Sequence, residues 1–228
     1  MHNKLQWNAI SFEDKTRTLQ EEVYKIKAST PKSHTRHHKK YERFLDELSH
    51  LLNRIETIKK SIIPKLEEKF RVEFKTPELV MIALSRPSIR NIFEDLKEFF
   101  KGESYDPLND DAYLNLASIG DAGEVLALLG DSVLDLATVQ VCWDSSLAKA
   151  GSLTKKRTDI VSNKNLAKTC DKWGLWECRL NRKHNPSKKK AKKDKIEHEK
   201  GTLVEAIYGI IYFEFGLETV FRTVGHIQ

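Results

Sequence analysis

The chain has 228 residues, of which 39% are hydrophobic and 32% are charged. This balance excludes global disorder, and the length allows one large or two small domains with a substantial core. The formal net charge of +6 permits a polyanionic partner without establishing one. The three cysteines form neither an even disulfide set nor a C-x-x-C pair, so we expect reduced, partly buried thiols.

The sequence gives no sign of membrane insertion or secretion. No apolar run approaches the roughly 20 residues that a membrane span requires. The first residues lack the basic patch and apolar stretch of a secretory signal. We therefore expect a soluble, cytoplasmic protein with no membrane partner.

The first 70 residues predict a helical hairpin, divided by Pro31 and bounded by Pro64. In its first helix, apolar residues from Phe12 to Ile26 share one face, and Ser11 and Asp14 have the spacing of a capping pair. In its second helix, a seam of alternating three- and four-residue spacings runs up to Pro64. The seam consists of Tyr41, Phe44, Leu48, Leu51, Ile55, Ile58 and Ile62. It either packs within the chain or forms an intermolecular coiled coil.

A second domain is predicted from residue 73 onward. Apolar residues at 79–84 open a helix, 94–101 adds another turn, and 102–111 reads as a loop. Residues 124–139 are too apolar for a surface helix, so this segment should run through the core. Asp131 and Asp135 share one face of that helix, which is unfavourable unless they bind a cation, pair with a base or reach water.

The remaining segments are also helical. Residues 153–168 predict a helix pair with a basic face that includes Lys155, Lys156 and Arg157. Residues 203–213 form an almost wholly apolar helix in which Glu205 is embedded. Because no alternation of period two and no hairpin signal occurs, the predicted fold class is all-α.

A short stretch between these helices has the composition of a basic loop. Its cations are Arg182, Lys183, Lys188, Lys189, Lys190, Lys192, Lys193 and Lys195. Two interpretations remain open for this loop and for the basic face at 155–157. These cations either contact phosphates, which gives affinity without sequence specificity, or are simply solvated.

Four ordered motifs resemble the catalytic domain of the ribonuclease III family. They are Ala-Leu-Ser-Arg-Pro-Ser-Ile-Arg-Asn (83–91), Leu-Leu-Gly-Asp-Ser-Val-Leu-Asp-Leu (128–136), Leu-Thr-Lys-Lys-Arg-Thr-Asp-Ile-Val-Ser-Asn-Lys-Asn-Leu-Ala (153–167) and Val-Glu-Ala-Ile-Tyr-Gly-Ile-Ile-Tyr (204–212). The resemblance covers 73–228 and leaves the hairpin of 1–70 outside. It implies an all-helical domain that forms a homodimer around a core helix and holds double-stranded or structured RNA, rather than DNA, in a basic valley.

The resemblance also implies a magnesium site made from four acidic positions, with Mg²⁺ or Mn²⁺ promoting phosphodiester hydrolysis. Asp131 and Glu205 match two of these positions as metal ligands, and Glu124 matches the glutamate that opens the signature. Ala127 and Thr202 stand where the family has a glutamate and an aspartate. Halving the ligand charge from about −4 to −2 should weaken or abolish metal binding.

The resemblance therefore predicts catalytic roles for Asp131, Glu205 and Glu124 in a site with weakened or lost cleavage. The predicted RNA-binding residues are Lys155, Lys156, Arg157, Lys188, Lys189, Lys190, Lys192 and Lys193. Alternatives are a non-catalytic RNA-binding or ribosome-assembly factor, and an interaction module that recruits a partner through the seam. In a further alternative, Asp131 and Glu205 pair with the basic face at 155–157 instead of holding metal.

Overall fold

The computed structural model describes residues 6–103, 105–143, 149–183 and 192–227. Within these ranges the backbone is helical and contains no strand, and a single bridge pairs Ser85 with Leu180. The predicted all-α fold class is confirmed. All three cysteines are free thiols, and Cys170 and Cys178 are buried.

The N-terminal hairpin consists of α1 (Phe12–Ser29) and α2 (Thr35–Thr57). A π-helical turn at Ile58–Ile62 continues α2 into α3 (Ile63–Phe70). The prediction that the helix ends at Pro64 is wrong. Pro64 lies in the first turn of α3, where a missing N–H is tolerated.

The start of α1 is held by a distant side chain instead of the predicted capping pair. Ser11 has a φ of 54° and its side chain caps no N–H of the helix. The carboxylate of Glu78 accepts the backbone N–H groups of Ile10 and Phe12 at 3.0 and 2.8 Å. The first helix is therefore fixed to the following domain by a tertiary contact.

The remaining helices follow in chain order, and two short 3-10 turns at Pro87–Ile89 and Val224–His226 accompany them. The helices are α4 (Pro77–Ala83), α5 (Arg90–Phe100), α6 (Asp110–Cys142), α7 (Ala150–Val161), α8 (Asn163–Trp173), α9 (Leu175–Cys178), α10 (Lys193–Phe215) and α11 (Leu217–Thr223). Each predicted helical segment overlaps one or two of them. The predicted loop at 102–111 ends earlier than expected, because the Asn109 side chain caps α6 by accepting the Ala112 N–H at 2.8 Å.

The apolar seam of α2 packs within the chain. Each of its seven residues is at most 4% exposed. The rings of Tyr41 and Phe44 contact Phe99 of α5 at centroid distances of 5.6 and 5.3 Å. The intramolecular alternative is correct, so the seam is not an exposed surface on which a partner could be recruited.

Buried charges attach the hairpin to the segment in which the basic loop begins. Glu47 of α2 is 2% exposed, and its carboxylate accepts the Lys183 N–H at 2.7 Å and lies 3.6 Å from the Arg182 guanidinium. Asp46 pairs with the Lys183 ammonium at 2.6 Å. The hairpin is thus part of the same packed structure as the following helices.

The core helix of the fold is α6, around which α4, α5, α7, α10 and α11 pack. An 18-residue window of α6 has a mean hydropathy of 1.6, so by length and composition alone this helix could cross a membrane. The prediction that no apolar run approaches that length is therefore wrong. Only 39% of that window is buried, so packing in the core accounts for part of its apolar composition and not for all of it.

Two glycines let α6 and α10 cross in backbone contact. A Cβ atom on Gly130 would lie 1.7 Å from the Glu205 carbonyl oxygen, and one on Gly209 would lie 2.1 Å from the Leu126 carbonyl oxygen. No larger residue fits at either position. The close crossing brings Asp131, which follows Gly130, beside Glu205.

Candidate functional site

A cleft of about 550 Å³ opens where α6, α7, α8 and α10 meet. The carboxylates of Asp131, Asp135 and Glu205 line it, together with Arg157 and His198. Two of these carboxylates come from successive turns of α6 and one comes from α10. The cleft is therefore an acidic site assembled across the glycine crossing.

Burial and neighbouring negative charge raise the pKa of two of the cleft carboxylates, Glu205 and Asp131. Burial raises the pKa of Glu205 to about 7, with further contributions from the charges of Asp131 and Asp135. Burial and the charge of Asp135 also raise the pKa of Asp131, and Arg157 partly opposes this. Near neutral pH, Glu205 is consequently protonated for a substantial fraction of the time.

Only one of the cleft carboxylates has a close basic partner in the described part of the chain. Arg157 of α7 donates to Asp135 at 3.1 Å. Pairing with a base, one of the three expected ways to relieve repulsion between Asp131 and Asp135, is therefore observed for Asp135. Because Arg157 is engaged there, and Lys155 and Lys156 are exposed, the alternative in which these bases pair with Asp131 and Glu205 is not what the structure shows.

The two positions that depart from the family pattern offer no substitute ligand. Ala127 is 4% exposed and presents a methyl group to the cleft. The Thr202 hydroxyl donates to the His198 carbonyl within its own helix at 3.0 Å. Neither residue replaces the missing negative charge.

The donor set does not fit a resident magnesium site. Mg²⁺ in proteins is bound by hard oxygen ligands, chiefly carboxylates. Among the residues that the structure describes, no group of three or more His, Cys, Asp or Glu side chains is placed to hold a metal ion. Asp135 is already paired with Arg157.

A comparison with protein-family models identifies the segment that builds this cleft. The model described as the ribonuclease III domain matches residues 124–216. Residues 124–216 are therefore similar to the ribonuclease III domain. The match spans α6 from Glu124 onward, both helices of the basic pair and α10, so it includes every side chain named above. Neither a curated protein nor a solved structure gave a significant match.

Within the segment that matches the ribonuclease III domain, the structure brings together only part of the predicted catalytic set. Asp131 and Glu205 meet in the cleft, whereas Glu124 is exposed and does not line it. Seven residues on a helix are two turns, so Glu124 shares the face of Asp131 but lies about 10 Å away along the axis. The catalytic role of Glu124 stays a prediction.

Two cleft residues of the matched segment are not among the site residues predicted from the sequence. Asp135 was recognised only as a carboxylate in need of a partner, and His198 was not singled out. His198 precedes Glu205 by seven residues, so helical periodicity alone places both on one face of α10. The signal for His198 was therefore present in the spacing.

The predicted RNA-binding cations have different surroundings. Lys155 and Lys156 are exposed on α7, beside the cleft residue Arg157. Lys192 and Lys193 are exposed at the start of α10. The remaining three, Lys188, Lys189 and Lys190, lie outside the described residues. Phosphate contact by any of these cations stays a prediction.

Proposed function

We propose that this ribonuclease III protein binds double-stranded or structured RNA and that its metal-dependent cleavage is weakened or lost. The observation that carries the proposal is the composition of the cleft. It retains Asp131 and Glu205 but has the methyl group of Ala127 in its wall, and its third carboxylate, Asp135, is paired with Arg157.

RNA binding is supported by cations at the edge of the cleft. Lys155 and Lys156 are exposed on the helix that supplies Arg157. Lysines in such positions contact phosphates and give affinity that does not depend on sequence. Double-stranded RNA is recognised mostly through its shape and its backbone, which suits such a surface.

A homodimer is supported by an apolar stripe on α6. Leu114, Val125, Leu128 and Leu136 are between 51% and 68% exposed, and their spacing places them along one side of the helix. A row of large exposed apolar side chains on a core helix is typical of an interaction surface. Leu128 also lines the cleft, so a second copy bound to this stripe would border the site.

The decisive experiment compares cleavage of a long double-stranded RNA in Mg²⁺ and in Mn²⁺. The wild type should bind the RNA and cleave it slowly or not at all. The restored variant Ala127→Glu/Thr202→Asp should cleave at least about tenfold faster, because it supplies the two missing carboxylates. The matched control Ala127→Gln/Thr202→Asn has nearly the same shape without the charge and should not gain activity.

Two results would contradict the proposal separately. Rapid cleavage by the wild type that disappears in Asp131→Ala/Glu205→Ala would show that the catalytic half is wrong. Absence of RNA binding by the wild type would show that the RNA-binding half is wrong.

A further inference from the structure

A second group of cations lies at the opposite end of α8 from the cleft. The ring of Phe70, the last residue of α3, contacts Trp173 at 5.3 Å and His226 at 5.9 Å between centroids. Cations that neighbour these rings in sequence therefore lie near one another. Lys69 and Arg71 flank Phe70, Lys172 precedes Trp173, and Arg222 lies about one helical turn before His226. We call this group the distal basic patch; it comprises Lys69, Arg71, Lys172 and Arg222.

Hydrogen bonds join two of the helices that contribute to the patch, α3 and α8. Lys65 of α3 donates to the carbonyl oxygens of Lys172 and Trp173 at 3.0 and 3.1 Å. These carbonyls belong to the C-terminal end of α8, where a cation is favourable. We call α1–α3 with the C-cap residue Arg71 the N-terminal extension. It thus adds its own positive charges to the C-terminal end of α8.

The positive charge of the patch is not compensated by close ion pairs. None of its four cations has a carboxylate within 4.0 Å in the described part of the chain. The pKa of His226 is lowered, first by burial and then by Lys69, Arg71, Lys172 and Arg222 in turn. By contrast, exposed Lys25 and Lys60 elsewhere on the extension are paired with glutamates at 2.7 and 2.6 Å.

A row of lysines connects the patch to the cleft. α8 begins at Asn163, which lines the cleft, and ends at Trp173, about 15 Å away along the helix axis. Lys164, Lys168 and Lys172 are four residues apart and exposed, so they lie along one face between the two sites. A polyanion that extends from the cleft to the patch along this face would contact these three lysines.

We propose that the distal basic patch binds the phosphate backbone of the same RNA that occupies the cleft. This inference rests on the proposed RNA-binding function and assigns part of the RNA surface to the N-terminal extension. Lysine and arginine contacts to phosphates add affinity but do not read bases. The extension therefore lengthens the RNA-binding surface without adding sequence specificity.

The test measures the affinity of the full chain for a duplex RNA between about 50 and 200 mM salt, because each phosphate contact contributes about 0.7 to 0.9 to the slope of log K against log salt. One variant, Lys69→Gln/Arg71→Asn, changes the extension; asparagine suits the φ of 55° at Arg71. The second variant, Lys172→Gln/Arg222→Gln, changes the other half of the patch. Each should reduce the slope by about 1.5.

Two further variants make the result interpretable. Lys25→Gln/Lys60→Gln removes the same charge from exposed lysines outside the patch and should leave the slope within about 0.5 of the wild type. Lys155→Gln/Lys156→Gln reports on the cleft edge and should reduce the slope. Thermal unfolding should be unchanged in all four variants, because every substituted side chain except that of the partly buried Lys69 is exposed.

Different results would contradict the proposed RNA-binding function and the inference about the distal basic patch. If the wild type shows no salt-dependent RNA binding, the proposed function is wrong and the inference falls with it. If the wild type binds and the Lys155→Gln/Lys156→Gln variant is weakened, but both patch variants match the charge control, the proposed function stands and the inference is overturned.

Discussion

The pH dependence of the free energy of unfolding should reveal that ionisation of Glu205 destabilises the folded protein. Its pKa in the folded protein is about 7, against an ordinary value of 4.5. Between these two values the folded state keeps a proton that the unfolded state has released, so stability falls as the pH rises. The full cost, reached above pH 7, is about 3 kcal/mol from a difference of this size.

The variant Glu205→Gln removes this cost. Denaturant unfolding should give nearly equal stabilities for variant and wild type at about pH 4, where the carboxyl is protonated in both states. At about pH 8 the variant should be more stable than the wild type by about 3 kcal/mol. The control Glu124→Gln removes an exposed glutamate outside the cleft and should follow the wild type at both pH values.

Two outcomes would refute this reasoning. A stability difference that does not change with pH would show that burial and the neighbouring carboxylates do not act on Glu205 as described. A marked stabilisation of the wild type by Mg²⁺ at about pH 8, absent in Glu205→Gln, would show that the cleft holds a cation after all. Because the donor set does not fit magnesium, we expect no such stabilisation.

Five further variants test the packing and the assembly. Glu47→Ala should lower the free energy of unfolding by about 2 kcal/mol in denaturant titrations, because it removes the buried acceptor of the Lys183 N–H and leaves Arg182 with Asp95 alone among the described residues. The partly exposed Asp46→Ala should cost less than about 1 kcal/mol. Gly130→Ala should cost about 3 kcal/mol or more, since the new methyl group meets backbone. Gly151→Ala, where nothing lies within 4 Å, should instead stabilise by up to about 1 kcal/mol in the same titrations. Leu128→Asp should convert a wild-type dimer to a monomer in sedimentation experiments; a monomeric wild type would contradict the dimer.

The positions and buried faces of the helices were predictable because they depend on local periodicity. The seven seam residues of α2 repeat at helical spacings, and all seven are buried. The same periodicity located α4, α5, α7 and α8 to within about five residues of their observed bounds, but it underestimated the lengths of α6 and α10 and did not predict α9 or α11. The sequence also showed which acidic positions are retained and which are replaced by Ala127 and Thr202. Aligning the ordered motifs with the family pattern identifies the residue at each position.

The sequence alone therefore determined the helical architecture, the family resemblance and the incomplete acidic set. Only the tertiary structure decided which charges meet. Arg157 pairs with Asp135 because α7 packs on α6, and Glu205 reaches Asp131 because two glycines let α6 and α10 touch. These contacts join residues between 22 and 74 positions apart. Helical periodicity orders neighbours within a few turns, but it does not specify which helices pack together.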